Sequence, residues 1–201
     1  MKTWKRFLAL GLVTIITAMM FVGCGSSDIS EGVAKNDYPI TINGVTLNSQ
    51  PTGVAVLSQN IADVILTGGF EATLKAKSED CTQEDLSILP NLTIDDVQEM
   101  KRLGVTLVLV DEAPTEQQTA ALEAQGIQIL AISPAKSRDD CKRLYREVGS
   151  AMVGGNTGYT KGEKACDNVF YTLDDITRLV PSTGTQYTAC YLYDLEGHAA
   201  T

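Results

Sequence analysis

The stretch GVTLVLVDEAPTEQQTAALEAQGIQILAI, residues 104–132, decides the fold. It contains two nearly continuous apolar runs, at 105–110 and 127–132, each preceded by a glycine. Such runs are typical of strands buried on both faces of a parallel sheet. Residues 116–125 between them predict a helix that Gly126 ends. A strand, a helix and a second strand at this spacing indicate a parallel pair joined by a crossover helix.

The same alternation extends towards the N-terminus. Asn43-Gly44 lies between two β-prone runs, which predicts a hairpin over 38–47. Residues 54–57 predict a buried strand, and the polar residues 58–60 can cap a helix over 61–66. A strand is predicted at 72–76, followed by a loop with a helical turn at 80–89. Thr93-Ile94-Asp95-Asp96 resembles a capping box and predicts the start of a helix that Gly104 ends. A further helix is predicted at 137–152.

A long amphipathic helix is predicted over 161–179, because apolar side chains recur there near the helical period. A new strand is predicted over 187–193, with its sheet partners expected outside the chain. We therefore expect an α/β fold, a Rossmann-like doubly wound parallel sheet followed by a long helix.

The N-terminus has the pattern of a bacterial lipoprotein signal. Lys2, Lys5 and Arg6 precede an apolar run of 16 residues at 7–22, and Gly23-Cys24 ends it. The run is shorter than the about 20 residues that span a bilayer. The alternatives are a plain secretory signal or a short membrane anchor. We expect a signal over 1–24, lipidation of Cys24, a flexible tether over 25–37, and an extracytoplasmic protein anchored to the cell membrane by lipid.

Removing residues 1–23 leaves 13 Lys+Arg against 25 Asp+Glu, a net charge of −12. Nucleic acids and anionic membranes attract basic proteins, so the charge argues against nucleic acid as a partner and against electrostatic membrane binding. An acidic surface also keeps an exported protein soluble.

The chain has one histidine, His198, so we expect no metal site made of protein side chains. Besides Cys24, the chain has four cysteines: Cys81, Cys141, Cys166 and Cys190. They are either semi-buried thiols or members of disulfides. If a disulfide exists, we expect it to join Cys141 to Cys166. No GxGxxG, P-loop or GxSxG motif occurs at a strand–helix turn. We expect no enzyme activity and no cofactor.

The succession of elements resembles the N-terminal part of the ABC-transporter substrate-binding lipoproteins that serve siderophores, haem and cobalamin, the class III periplasmic-binding proteins. The resemblance rests on a succession of segments rather than on one motif. These are the lipobox that ends in Gly23-Cys24, residues 38–42 with the Asn43-Gly44 turn, Pro51 followed by residues 54–57, residues 62–66 before Gly68-Gly69, residues 103–109, and the long helix from Lys161. It implies two lobes joined by a long helix: an N-terminal lobe at 38–155, a connecting helix at 156–182, and the start of an incomplete C-terminal lobe at 183–201.

The resemblance also implies a function: capture of an iron-siderophore, haem or cobalamin-type ligand and its delivery to an ABC permease with its ATPase. Ligands of open α/β sheets lie at the carboxyl ends of strands. This rule predicts that polar residues directly after three of the strands bind the ligand: Ser58, Gln59, Asn60, Ser78, Asp80, Cys81, Asp111 and Glu112. Alternatively, each of these residues serves only to form a turn or to cap a helix.

Members of the family present an acidic residue to an arginine of the permease. The resemblance places this residue near Gln98, where Asp95, Asp96 and Glu99 can substitute for it. Alternatively, these acids are solvated residues at a helix N-terminus, which the helix dipole favours. An alternative for the whole chain is a truncated, non-transport surface lipoprotein acting as an interaction or degenerate module.

Overall fold

The computed structural model of the protein describes residues 37–179, 191–192 and 199–200. The predicted signal with Cys24, most of the tether, Cys190 and His198 lie outside the described residues. No helix among the described residues is long and apolar enough to cross a bilayer.

Four parallel strands form the central sheet, in the order β4-β3-β5-β6. They are β3 Val54–Val56, β4 Leu74–Lys77, β5 Leu107–Val110 and β6 Gln128–Ala131. The helices are α1 Gln59–Gly68, α2 Val97–Arg102, α3 Glu116–Glu123, α4 Arg138–Val153 and α5 Gly155–Arg178. The expected doubly wound α/β fold is confirmed.

Both faces of the sheet are buried, as the apolar runs predict. Along β5, Leu107 and Leu109 belong to one core cluster, and Val108 and Val110 belong to the other. Helices α1, α4 and α5 cover the first face, and α2 and α3 cover the second. Burying each such side chain contributes about 1.5–3 kcal/mol to the free energy of folding.

The predicted hairpin is present as β1 Ile40–Ile42 paired antiparallel with β2 Val45–Leu47. Asn43 and Gly44 have φ values of 48° and 83°, which is the left-handed region that a tight two-residue hairpin turn requires. The side-chain amide of Asn43 donates a 2.9 Å hydrogen bond to the carbonyl of Ala131, which holds the hairpin beside the edge strand β6.

Several element boundaries differ from the prediction. The strand predicted at 72–76 begins with a 3₁₀ turn, Glu71–Thr73, before β4. Helix α2 begins at Val97 because Thr93 and Asp96 close a separate turn ahead of it. The Asp96 carboxylate accepts hydrogen bonds from both the backbone N–H and the hydroxyl of Thr93, each 2.7 Å long.

The long helix begins at Gly155, six residues before the predicted start at Lys161. Only Gly154, with φ 114°, separates it from α4. Gly158 and Gly162 are helical and face α4, although glycine usually disfavours the interior of a helix. A Cβ on Gly158 would overlap the carbonyl oxygen of Gly149, so these glycines allow the two helix backbones to touch.

Asp37, predicted as the last residue of the tether, is part of the folded domain. It is only 5% exposed. Its carbonyl accepts a 2.9 Å hydrogen bond from the Gly155 N–H, and its carboxylate accepts one of 3.2 Å from the Asn156 N–H. Asp37 thus caps the N-terminus of α5, which has no capping side chain of its own.

Near the C-terminus, β7 Tyr191–Leu192 pairs antiparallel with β8 Ala199–Ala200. This pairing lies within the chain, whereas we expected the partners of the strand at 187–193 to lie outside it. The rest of that predicted strand is outside the described residues.

Candidate functional site

The carboxyl ends of β3 and β5 form the switch point of the sheet. These strands are neighbours, yet the helix after β3 packs on one face and the helix after β5 packs on the other. The two connections diverge and leave a crevice between them, which is where open α/β sheets bind ligands.

A groove of about 440 Å³ occupies this edge of the sheet. Of the sequence-predicted ligand residues, Ser78, Asp80, Asp111 and Glu112 line it. The other lining residues are Leu57, Glu79, Leu92, Thr93, Ile94, Val110, Ala113, Pro114 and Gln118. The topology therefore brings together the residues predicted after β4 and β5.

Ser58 lies behind the groove and positions one of its residues. Its side chain is buried, and its hydroxyl donates a 2.9 Å hydrogen bond to an Asp111 carboxylate oxygen. The Ser58 hydroxyl oxygen itself accepts a 3.3 Å hydrogen bond from the Ile61 N–H and so caps α1. Gln59 and Asn60 are exposed in the first turn of α1 and are not among the lining residues.

The loop after β4 is held by a chain of buried contacts. The Ser78 hydroxyl is 3.2 Å from the Cys81 sulfur, and the Ser78 N–H donates to the carbonyl of Val56. Lys77 is 7% exposed, and its ammonium donates a 2.7 Å hydrogen bond to the side-chain carbonyl of Asn91. Cys81 therefore supports the loop from behind, while Ser78 and Asp80 line the groove.

The segment around Thr93 and Ile94 lines the groove, which the sequence did not predict. This segment reaches the groove because Lys77 and Asn91 form an isolated parallel bridge, with the Leu92 N–H donating to the carbonyl of Lys77. Because this bridge involves a single residue on each side and directly follows Pro90, the sequence there does not show the alternating pattern that predicts a strand.

Gln118 was also missed, although the sequence contains a signal for it. Thr115 and Gln118 form a reciprocal capping box that starts α3. The Gln118 amide also donates a 3.3 Å hydrogen bond to Asp95. A Thr-x-x-Gln pattern before an amphipathic run predicts this arrangement.

The groove combines apolar side chains with negative charge. Four carboxylates line it, and no lysine, arginine or histidine is among its lining residues; the carboxylates are Glu79, Asp80, Asp111 and Glu112. Within the part of the chain that the structure describes, no cluster of three or more His, Cys, Asp or Glu side chains is arranged to hold a metal ion. The site can therefore accommodate an organic surface that tolerates nearby carboxylates.

The three predicted docking acids lie beside the groove, around the start of α2. Hydrogen bonds from the Thr93 hydroxyl and backbone hold the pKa of Asp96 below its usual value. The hydrogen bond from Arg102, with Nε 2.7 Å from a carboxylate oxygen, lowers the pKa of Glu99. Asp95 is exposed and accepts the Gln118 hydrogen bond. Asp96 thus has a structural role, whereas Asp95 and Glu99 lie at the surface with carboxylate oxygens near solvent.

A second cavity, of about 460 Å³, lies between the hairpin and helices α4 and α5. Its arginines are paired: Arg143 with Glu147 at 3.0 Å, and Arg146 with Glu163. These charges are already neutralised within the protein, so this cavity is a weaker candidate than the groove.

A scan against protein-family models and a search of curated proteins find no match for the sequence. Solved structures do match. A possible iron-binding (periplasmic solute-binding) protein from Staphylococcus epidermidis aligns with a TM-score of 0.54 at 14% identity, over 69% of this chain and 55% of that one. The chain has the periplasmic-binding-protein fold.

Two further solved structures with this fold are similar. A periplasmic haem-binding protein from Pseudomonas aeruginosa aligns with a TM-score of 0.53 at 13% identity, over 64% of this chain and 46% of that one. The periplasmic haem-binding protein HutB of Vibrio cholerae aligns with a TM-score of 0.52 at 16% identity, over 66% of this chain and 51% of that one. The chain spans about half the length of these periplasmic-binding-protein structures.

Proposed function

We propose that the protein is the extracytoplasmic solute-binding component of an ABC importer, and that the groove at the switch point binds a metal chelate or macrocycle of the iron-siderophore, haem or cobalamin kind. The single observation that carries the proposal is the location of this groove, lined by Ser78, Asp80 and Asp111. The fold supports it, because proteins with this fold include those described as binding haem or iron.

The groove opens to solvent, since lining residues such as Glu79, Asp80 and Glu112 are exposed. An open groove covers less of a ligand than the 70–90% typical of small-molecule sites, so these residues alone are expected to bind more weakly than a closed site. In the two-lobed architecture that the resemblance implies, a second lobe would supply the remaining contacts, and closure over the ligand would report the loaded state to a permease.

The charge of the groove favours some of these ligands over others. Haem carries propionate carboxylates, which the four carboxylates of the groove repel, although salt screens this repulsion. A cobalamin or a cationic ferric trihydroxamate has no such groups. Among the three ligand classes, we therefore favour a neutral or cationic chelate.

Equilibrium dialysis of the full chain against cobalamin, a cationic ferric trihydroxamate and haem tests this choice. We expect the trihydroxamate to bind most tightly at low salt, with an affinity that falls as salt rises. Asp111→Asn combined with Glu112→Gln should weaken its binding, whereas Glu123→Gln, on an exposed position of α3 outside the groove, should not. Absence of binding by all three chelates would contradict the proposal.

For docking, we propose that Asp95 and Glu99 meet basic residues of the permease. Both lie around the start of α2, and Asp95 accepts a hydrogen bond from Gln118, which lines the groove. Charge reversal by Asp95→Lys with Glu99→Lys should abolish stimulation of the transporter ATPase and leave chelate binding unchanged. Glu123→Lys is the matched control and should retain stimulation. If the double variant stimulates normally, the acids serve only the start of α2.

The proposed location depends on Cys24. Cys24→Ala should leave the protein unlipidated, either released or with its signal uncleaved. Incorporation of labelled palmitate into the Cys24→Ala variant would contradict the anchor at this residue.

A further inference from the structure

Helices α4 and α5 are in backbone contact along a regular series of positions. A Cβ added to Gly149 would overlap the carbonyl oxygen of Gly158, and one added to Gly162 would overlap the carbonyl oxygen of Tyr145. Successive contacts are four residues apart on each helix, running in opposite directions. The next position in this register pairs Cys141 on α4 with Cys166 on α5.

Ion pairs confirm that the helices keep this register near the two cysteines. Lys142 and Asp167, the next residue after each cysteine, form an ion pair of 2.8 Å. Arg146 and Glu163 form another, one turn closer to the glycine contacts. On the other side of the cysteines, Arg138 and Asp174 form a further ion pair. The two cysteines therefore lie between well-defined contacts rather than at a frayed end.

The environments of the two thiols differ. Cys166 is fully buried, and Cys141 is partly exposed. Burial, together with the negative charge and hydrogen bond of Cys141, raises the pKa of the Cys166 thiol to about 12. The thiols thus interact directly, and Cys141 is the one that solvent reaches.

Both cysteines are free thiols in the structure. We propose that an oxidising compartment converts them to a disulfide that covalently joins α4 to α5. A disulfide requires Cα atoms about 4.4–6.8 Å apart, and helices whose backbones touch at the adjacent positions can meet this condition. In the cell the reaction rests on the proposed extracytoplasmic location, because disulfides persist in oxidising compartments.

The oxidant is an external disulfide, either a small-molecule disulfide or the disulfide of an oxidoreductase. The Cys141 thiolate attacks one sulfur of that disulfide and releases the other as a thiol. Cys166 then loses its proton and attacks the Cys141 sulfur, which releases the second external thiol. Two protein thiols are oxidised and one external disulfide is reduced to two thiols.

Peptide mapping of the full chain in detergent tests the pairing without any variant. The folded protein is treated with oxidised glutathione, alkylated and digested with trypsin. We expect peptides 139–142 and 165–178 to be recovered as one disulfide-linked species. Cys81→Ser should retain it, and Cys141→Ser or Cys166→Ser should lose it. Recovery of the two wild-type peptides separately, each alkylated or carrying glutathione, would overturn the proposal.

A second arm alkylates the cells at harvest, before lysis. Finding the disulfide-linked peptides in this sample supports a disulfide that is present in the cell. If the linked peptides form only after treatment with oxidised glutathione, the cell does not make the disulfide and the proposal is contradicted. The bridged protein should melt about 6–12 °C above its reduced form, as expected when a disulfide restricts the unfolded chain. Neither arm involves a ligand, so failure of the chelate titrations leaves this test unaffected.

Discussion

The hydroxyl of Ser58 donates a 2.9 Å hydrogen bond to the carboxylate of Asp111, joining the ends of β3 and β5 across the switch point. The Ser58 hydroxyl oxygen also accepts a hydrogen bond from the Ile61 N–H and caps α1. One buried side chain therefore fixes both the start of a helix and the orientation of a carboxylate that lines the groove.

Ser58→Ala should lower the free energy of unfolding by about 0.5–2 kcal/mol, the usual cost of losing a helix cap. It should also change chelate affinity, because Asp111 loses the donor that orients it. Ser137→Ala is the matched control, since Ser137 caps α4 in the same way but does not line the groove. We expect similar losses in urea unfolding and a change in dialysis affinity for Ser58→Ala alone. Equal affinities for the two variants would contradict the positioning role.

Gly158→Ala should destabilise the protein although alanine has the higher helix propensity. The new methyl group would overlap the backbone carbonyl of Gly149, which cannot rotate away as a side chain can. Overpacking of this kind costs about 1–3 kcal/mol. Lys164→Ala, at an exposed position of α5, should leave the urea midpoint nearly unchanged. An unchanged midpoint for Gly158→Ala would mean that the two helices are not in backbone contact.

Asp37→Ala should lower the melting temperature, since it removes the carboxylate that meets the Asn156 N–H at the start of α5. The expected loss is about 0.5–2 kcal/mol, in the range of helix caps. Glu71→Ala removes an exposed carboxylate and is the control in the same calorimetric scan. If both variants melt like the wild type, Asp37 belongs to the tether after all.

The reduced protein should lose stability as pH rises from about 9 to about 12. The pKa of Cys166 is raised on folding, so the unfolded chain releases this proton at a lower pH than the folded one. The contribution of Cys166 to stability is therefore complete below its unfolded pKa and is lost as pH rises through its folded pKa. Melting scans in reductant should show a shallower alkaline decline for Cys166→Ala than for the wild type. Parallel declines would contradict the role of this thiol.

The sheet could be predicted from sequence because it depends on local patterns. The runs at 105–110 and 127–132 are apolar enough to require burial on both faces, and Asn43-Gly44 specifies its turn through backbone conformation alone. Ser78, Asp80 and Asp111 were found because strand ends follow directly from strand assignments.

The misses come from contacts between distant segments. Thr93 reaches the groove through a two-residue bridge to Lys77, which leaves no periodic pattern. The start of α5 was misplaced because helix-breaking glycines and helix-packing glycines look alike in a sequence, and only the position of α4 distinguishes them. Asp37 was assigned to the tether because its partners, Gly155 and Asn156, are more than a hundred residues away.

Hydrogen exchange of the full chain with and without the bound cationic ferric trihydroxamate tests the central claim most directly. If the groove at the switch point is the binding site, exchange should slow at 78–80, 92–94 and 111–118. The second cavity, at 41–43 and 143–150, should exchange at the same rate with or without the ligand. Unchanged exchange at the strand ends, or protection confined to the second cavity, would contradict the account.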